Sequence, residues 1–288
     1  MTDPAHKPIA WITGAGGLIG SHLLRSAESL GSCWDVRGLT HAQLDLLDFK
    51  AVRQAFRTDS PALVVHCAAL SSSNDCQRDP HLARRMNVEA TATLAELAHG
   101  IPFIFFSTDL VFDGRKGNYV ETDAVNPLNA YAETKVAAEE IVLANPKHTA
   151  IRAALNGGTS PKGDRGFNEQ LRHAFQRSET LKLFTDEFRC PIPAAVTAKA
   201  LWELVRQGKP GVYHLAGAER LSRLQIGHLI ASRWPQLHPR IEPASAAGYH
   251  GHLRPADVSL NCAKIQKLLS FPLPRLSDWL AAHPQEAF

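Results

Sequence analysis

A chain of 288 residues exceeds the usual size of one domain, so one large or two unequal domains can be built from it. Its 44% hydrophobic and 20% charged residues are those of a soluble globular protein, and a formal charge of +3 is too small to argue for nucleic acid or a membrane surface. Five scattered cysteines without a C-x-x-C pair, and 14 histidines without an H-E-x-x-H, give no metal spacing.

The N-terminal segment Met1–Pro8 is polar and lacks a signal core, and no run approaches a membrane span. The expectation is a cytoplasmic protein with buried free thiols. The first ordered stretch is Ile9 to Ile12, an apolar run of strand length. It meets Thr13-Gly14-Ala15-Gly16-Gly17-Leu18-Ile19-Gly20, and an amphipathic helix is predicted from Leu18 to Ser29. Strand, glycine turn and helix present free backbone N–H groups and a positive helix end to a pyrophosphate. The glycines fall as Gly14-x-x-Gly17-x-x-Gly20, and Gly16 offers a second frame, Gly14-x-Gly16.

Cys33 to Thr40 reads as a second strand, and Asp48 caps a helix from Phe49 to Arg57. Pro61 to Ala69 is a third strand, nearly all apolar, as expected of a parallel strand buried on both faces. Ser71 to Asp75 reads as a polar loop, and a long helix is expected over His81–His99. Phe103 to Phe106 is the fourth strand, ending at Ser107-Thr108-Asp109. An ordered loop runs from Leu110 to Leu128, a helix from Ala130 to Leu143, and a fifth strand from His148 to Leu155.

This alternation predicts an α/β fold, a doubly wound parallel sheet of Rossmann type, with a smaller, irregular C-terminal substrate region. Residues 1–158 form the expected dinucleotide-binding domain. Helix 197–207 and strand 211–216 are expected to join it, leaving 159–196 and 217–288 for the substrate region. A helix over Phe167–Arg177, a strand over Leu181–Phe184 and a helix over Ser222–Trp234 are expected there, then short helices between prolines 239, 243, 255, 272 and 274.

Tyr131 and Lys135 stand at i and i+4, hence on one helix face. A nearby cation favours phenolate and is expected to lower the tyrosine pKa toward the range of a general acid or base. Ser107 and Thr108 end the preceding strand, at the sheet edge that also carries the glycine turn. A hydroxyl there suits a substrate carbonyl that Tyr131 protonates.

With these residues in view, the chain resembles the extended short-chain dehydrogenase/reductase family, and within it the dTDP-4-dehydrorhamnose reductase-like subgroup. It is also similar to the regulatory beta subunit of methionine adenosyltransferase. The matching segments are the glycine turn, Leu44-Asp45-Leu46-Leu47-Asp48, His66-Cys67-Ala68-Ala69, Asn87 and Ser107-Thr108-Asp109-Leu110-Val111-Phe112-Asp113-Gly114. Pro127 to Lys135, Tyr213 to Gly217 and Arg254-Pro255 complete them.

The resemblance implies a catalytic set of Thr108, Tyr131 and Lys135, and reduction of the C4 ketone of a nucleotide-linked deoxysugar. It implies a pyrophosphate turn of Gly14, Gly17 and Gly20 flanked by Thr13, Leu18 and Ile19. Asp45, Leu46 and Asp48 would lie near the adenine, and Cys67, Ala68 and Ala69 beside its ribose. Asn87 and Ser107 join the cofactor set, and Lys135 would hold the nicotinamide ribose. Ser71, Thr108, Asp109, Phe112 and Arg254 are the implied substrate contacts, Arg254 having a guanidinium suited to a diphosphate.

Cofactor choice turns on the second strand. An acid at its tip would bind the ribose of NAD, whereas basic residues accept the phosphate of NADP. The tip is Thr40-His41, with Arg37 upstream and no acid, which favours NADP(H) over NAD(H). Asp113-Gly114 reads as turn chemistry, and Cys190 as an inert thiol.

Two other readings stay open. One is a cofactor-binding regulatory subunit without turnover. The other is an epimerase or dehydratase with Asp109 as an added acid/base. The loop Leu70–Asp75 departs from the subgroup pattern, so the sugar is open as well. A homodimer through helices 81–99 and 130–143 is expected, with Ala90, Ala92, Ala95, Ala137 and Ala138 permitting close packing.

Overall fold

The computed structural model describes residues 7–249, 251, 253–286 and 288, so most of the polar segment Met1–Pro8 lies outside the described residues. Strands β1 (Ile9–Thr13), β2 (Asp35–Leu39), β3 (Leu63–His66) and β4 (Phe103–Thr108) alternate with helices α1 (Leu18–Leu30) and α2 (Phe49–Asp59) and a helical stretch between β3 and β4. That stretch holds α3 (Ser73–Arg78), α4 (Pro80–Arg84), one π-helical turn (Arg85–Glu89) and α5 (Ala90–Leu97). Helix α6 (Ala130–Leu143) leads to β5 (Thr149–Ala153).

Two elements differ from expectation. The polar stretch read as loop enters α3, because Ser72 Oγ accepts from Asp75 N at 3.2 Å and caps it. The expected long helix is interrupted at Asn87, where Thr91 Oγ1 donates to the Asn87 carbonyl at 2.7 Å beside the π-helical turn.

Beyond β5 come β6 (Asn156–Gly157), α7 (Phe167–Gln176), β7 (Thr180–Phe184), β8 (Phe188–Arg189), β9 (Ile192–Pro193), α8 (Ala194–Gln207) and β10 (Gly211–Leu215). Then β11 (Leu221–Ser222), α9 (Arg223–Ala231), β12 (Arg240–Ala244), α10 (Ala263–Gln266) and α11 (Leu276–Ala282) end the described chain. Strand β12 pairs in parallel with β7, where only short helices were expected; it lies at an edge, which tolerates Pro243.

The central sheet has six parallel strands in the order β10-β5-β4-β3-β1-β2. Neighbouring residues of each strand face opposite layers. Trp11, Val64 and Phe105 enter one core with Leu94 of α5, whereas Ile12, Val65 and Phe106 enter the other with Leu23 and Trp202. Both faces are therefore covered, which explains the unbroken apolar runs in the sequence. A third core joins Phe175, Ile226, Ile230 and Trp279 around the C-terminal elements.

Ala90, Ala95 and Ala138 are buried in the core between α5 and α6 of the same chain, so their small size serves internal packing. All five cysteines are free thiols, and Cys33 is exposed rather than buried. Among the described residues, no helix is long and apolar enough to cross a membrane.

Candidate active site at the carboxyl edge of the sheet

The strand order reverses between β1 and β3, the switch point at which doubly wound sheets open a crevice. Gly14 turns the chain there. Its φ is +69°, and a Cβ on it would stand 2.6 Å from the Ala68 nitrogen at the end of β3. Only glycine fits so close an approach in left-handed backbone. Gly17 then leads into α1 as its N-cap, with no side-chain cap, so the first N–H groups of the helix stay available at this cradle. The turn thus fits a dinucleotide pyrophosphate.

Below the turn runs a buried polar chain. Thr13 Oγ1 and His66 Nδ1 are 2.6 Å apart, and His66 Nε2 lies 3.0 Å from Thr91 Oγ1. Thr91 spends its proton on the Asn87 carbonyl, so it accepts from His66 Nε2–H, and Thr13 donates to Nδ1. Burial, with Lys135 adding to it, pushes His66 down to about 3, so the ring is neutral.

Asn87 Oδ1 accepts from Leu70 N at 2.8 Å, and its Nδ2 donates to the Leu70 carbonyl and to Thr134 Oγ1 at 3.1 and 3.0 Å. Asn87 therefore fastens the pocket loop to α6, and the cofactor role expected of it becomes one of support.

Asn129 caps α6 through Ala132 N at 3.0 Å, which fixes Tyr131 and Lys135 in its first two turns. Thr108, at the end of β4, stands beside the Tyr131 phenol and favours its charged form. Lys135 Nζ sits 3.9 Å above the Phe105 ring. Contrary to expectation, the tyrosine pKa is raised. Burial dominates, a charge on Asp109 would add to it, and Lys135 does not offset it. Burial also brings Lys135 itself down to about 7, although Glu139 pulls the other way.

Beyond Thr108 lies a cavity of about 250 Å³. Ser71, Ser72, Ser73 and Asn74 form one wall, with Leu110 and Asn129 beside them. Glu187, Arg189, Arg223, Leu253, Arg254 and Pro255 form the other. Glu187 accepts from Arg223 Nε at 2.7 Å and from Arg254 Nε and Nη2 at 2.6 and 3.0 Å. Burial alone would raise this carboxyl, but Arg223, Arg254 and Arg189 outweigh it and hold it at about 2. Arg189 Nη1 stands 3.3 Å from Asp109 Oδ1. Three guanidinium groups face two carboxyl groups, so the wall favours an anion.

Sequence reasoning missed Glu187, Arg189 and Arg223. Its one available signal was charged residues set among apolar ones at Glu187-Phe188-Arg189-Cys190-Pro191.

Several expected contacts fall elsewhere. Arg37 is turned from the strand tip and hydrogen-bonds Asp59, which also accepts from Trp11 Nε1 at 2.8 Å. Phe112 is fully buried, its ring stacked on Tyr119 with centroids 4.1 Å apart, and does not line the cavity. Leu46 is buried in the Trp11 core. Asp48 is the α2 N-cap, accepting from Ala51 N at 2.9 Å, and Asp45 accepts from Leu47 N at 2.9 Å.

Ser71 lines the cavity, and Arg254 does so while forking Glu187. Ser107 is buried, and its hydroxyl has no hydrogen-bond partner. His41 is exposed beside the strand tip, 3.6 Å from Asp45. Asp113 accepts from Arg115 N, Tyr119 and Asn126, as its turn role requires. Burial raises the Cys67 thiol, and raises Cys190 to about 11, so neither is a reactive thiolate.

Residues 10–286 match the model of the RmlD substrate binding domain. Methionine adenosyltransferase 2 subunit beta of Danio rerio is 30% identical over 275 residues, which are 89% of this chain and 84% of that protein. The probable low-salt glycan biosynthesis reductase Agl14 of Haloferax volcanii is 30% identical over 292 residues, 95% and 96% of the two chains. In structure, the dTDP-4-dehydrorhamnose reductase of Bacillus anthracis in complex with NADP superposes with a TM-score of 0.87 at 21% identity, over 96% of this chain and 98% of that one.

Proposed function

Because the chain belongs to the RmlD substrate-binding-domain family, we propose that it is an NADP(H)-dependent reductase of the C4 ketone of a nucleotide-linked deoxysugar, of the dTDP-4-dehydrorhamnose reductase type. The observation that carries this reading is the meeting of Thr108 and Tyr131 at the carboxyl edge of the sheet that also holds the Gly14 cradle.

A dinucleotide held in the Gly14 cradle would supply the hydride. The Gly14–Gly20 turn and the start of α1 would hold its pyrophosphate, and Lys135 would orient its ribose hydroxyls. Tyr131, held protonated by burial, donates its proton to the carbonyl oxygen as negative charge develops there. Thr108 fixes that oxygen. The cavity wall of Arg189, Arg223 and Arg254 takes the diphosphate, and the seryl loop Ser71–Ser73 faces the sugar. NADP is favoured because β2 ends in Thr40-His41 without an acid. The reading extends to a homodimer with the exposed Leu82 and Ile141 on its helical face, checked by sedimentation at micromolar concentration.

The test is NADPH oxidation with a dTDP-4-keto-6-deoxysugar, read at fixed protein concentration beside Tyr131→Phe. Turnover in the parent and its loss in the variant are expected. Tight NADP binding with no turnover on a panel of nucleotide keto sugars would overturn the reductase reading and leave a non-catalytic binding subunit.

A further inference from the structure

Thr108 has a single proton, and its surroundings decide where that proton points. Its oxygen accepts from Leu110 N at 3.2 Å, and a second contact of 3.2 Å joins it to Asp109 Oδ1. An ionised carboxylate only accepts, so it would draw the threonine proton to itself. The hydroxyl would then have nothing to donate to a carbonyl. If Asp109 is a carboxylic acid, the same contact runs the other way: Asp109 donates to Thr108, and the Thr108 proton is released toward the pocket.

The setting of Asp109 favours the acid. The residue is 1% exposed, and its Oδ2 has no hydrogen-bond partner among the described residues. An ionised carboxylate with one bare oxygen is costly in such a place, and the neutral acid is far less so. Five titratable or charged groups face it. Arg189 on β8 lies 3.3 Å away yet makes no hydrogen bond to it through Nη1, and Arg223 at the start of α9 stands farther along the cluster. Glu187 opposes a negative charge, whereas Tyr131 on α6 and Cys190 stand beside it as neutral groups. Burial and Glu187 outweigh the two arginines and the Thr108 hydrogen bond, and the carboxyl is displaced upward.

We propose that Asp109 is a positioning residue that works in its protonated form, donating to Thr108 Oγ1 so that the Thr108 hydroxyl faces the substrate carbonyl. Asp109 keeps its own proton throughout, so it is not a second acid/base that exchanges a proton with the sugar. Its role rests on the reductase reading of Thr108 and Tyr131. Arg189 sets how readily the acid ionises, which links the anion-binding wall to the direction of one hydroxyl.

The experiment compares the parent, Asp109→Asn and Asp109→Ala, each full-length and saturated with NADP(H). Asparagine can donate to Thr108 through Nδ2 as the acid does. We expect Asp109→Asn to keep kcat within about threefold of the parent and to lose the alkaline decline caused by Asp109 ionisation, while Asp109→Ala loses at least about tenfold in kcat with little change in KM. An Asp109→Asn variant as impaired as Asp109→Ala, or one that retains the same alkaline limb, would overturn the proposal.

Infrared difference spectroscopy of the NADP-bound parent against Asp109→Asn supplies a readout free of turnover. The carbonyl band of a buried carboxylic acid at neutral pH is expected to vanish in the variant. A missing acid band in the parent overturns the protonated state even where a ketone is reduced. A present band with no turnover on any ketone instead refutes the reductase reading.

Discussion

Asn87 Nδ2 and Thr134 Oγ1 are joined by a buried hydrogen bond of 3.0 Å, and Thr134 in turn donates to the Tyr131 carbonyl at 2.7 Å. Through the same amide, Asn87 grips both polar groups of Leu70, which stands just before the seryl wall of the cavity. Asn87→Ala would leave these groups unsatisfied. Urea unfolding at neutral pH is expected to show a loss of about 2–4 kcal/mol, with kcat/KM for the ketone lowered and NADP affinity nearly kept. A stability change below about 1 kcal/mol would mean that water replaces the amide.

The glycine turn admits two frames, and the structure separates them. Gly14 has φ +69° and its Cβ would meet Ala68 N at 2.6 Å, whereas a Cβ on Gly16 would meet only Thr40 Cγ2 at 3.7 Å. Left-handed backbone costs an alanine about 1–2 kcal/mol before the clash is counted. Gly14→Ala is therefore expected to weaken NADPH binding at least about a hundredfold, and Gly16→Ala by less than about threefold. Fluorescence titration with NADPH measures both. Equal losses would return the turn to the Gly14-x-Gly16 frame.

Arg37 and His41 divide the work that the sequence left to both. Arg37 is engaged by Asp59 and Asp35, so Arg37→Ala should leave the NADPH-to-NADH ratio of kcat/KM within about twofold. His41 has an exposed side chain near the strand tip. His41→Ala is expected to lower the ratio by about two- to fivefold, the scale of an exposed ionic contact. If Arg37→Ala moves the ratio and His41→Ala does not, the phosphate lies on the other side of the strand.

The parts of this molecule that could be read in advance are those governed by local pattern. Strands β3 and β4 announce themselves because both faces are buried, which makes Val64-Val65 and Phe103–Phe106 continuously apolar. Helix α6 is legible from end to end because its cap, Asn129, and its Tyr131/Lys135 pair lie within one segment.

What could not be read is convergence over distance. Arg189 and Asp109 are 80 positions apart, and no periodicity links Glu187 to Arg223 and Arg254. The direction of the tyrosine shift was misjudged for a related reason. The i, i+4 lysine is visible in the sequence, but the burial that outweighs it is not. The pairing of Arg37 with Asp59 was hidden because a strand residue's face follows from its register with Trp11, which sequence alone leaves free.

Glu187 makes the anion-binding wall sensitive to acid. Its carboxyl is held at about 2, well below its ordinary 4.5, because Arg223, Arg254 and Arg189 overcome the penalty of burial. A depressed carboxyl contributes stability that is fully present above pH 4.5 and is lost as pH falls toward 2, since the unfolded chain takes up the proton first. Glu187→Gln leaves Arg223 and Arg254 without their counter-charge, and breaking such a buried pair costs about 3–5 kcal/mol at neutral pH. The gap between parent and variant should therefore be widest above pH 4.5 and shrink steadily toward pH 2. Urea midpoints across that range measure it. A gap that stays constant down to pH 2 would show that Glu187 contributes through its hydrogen-bonding shape rather than its charge.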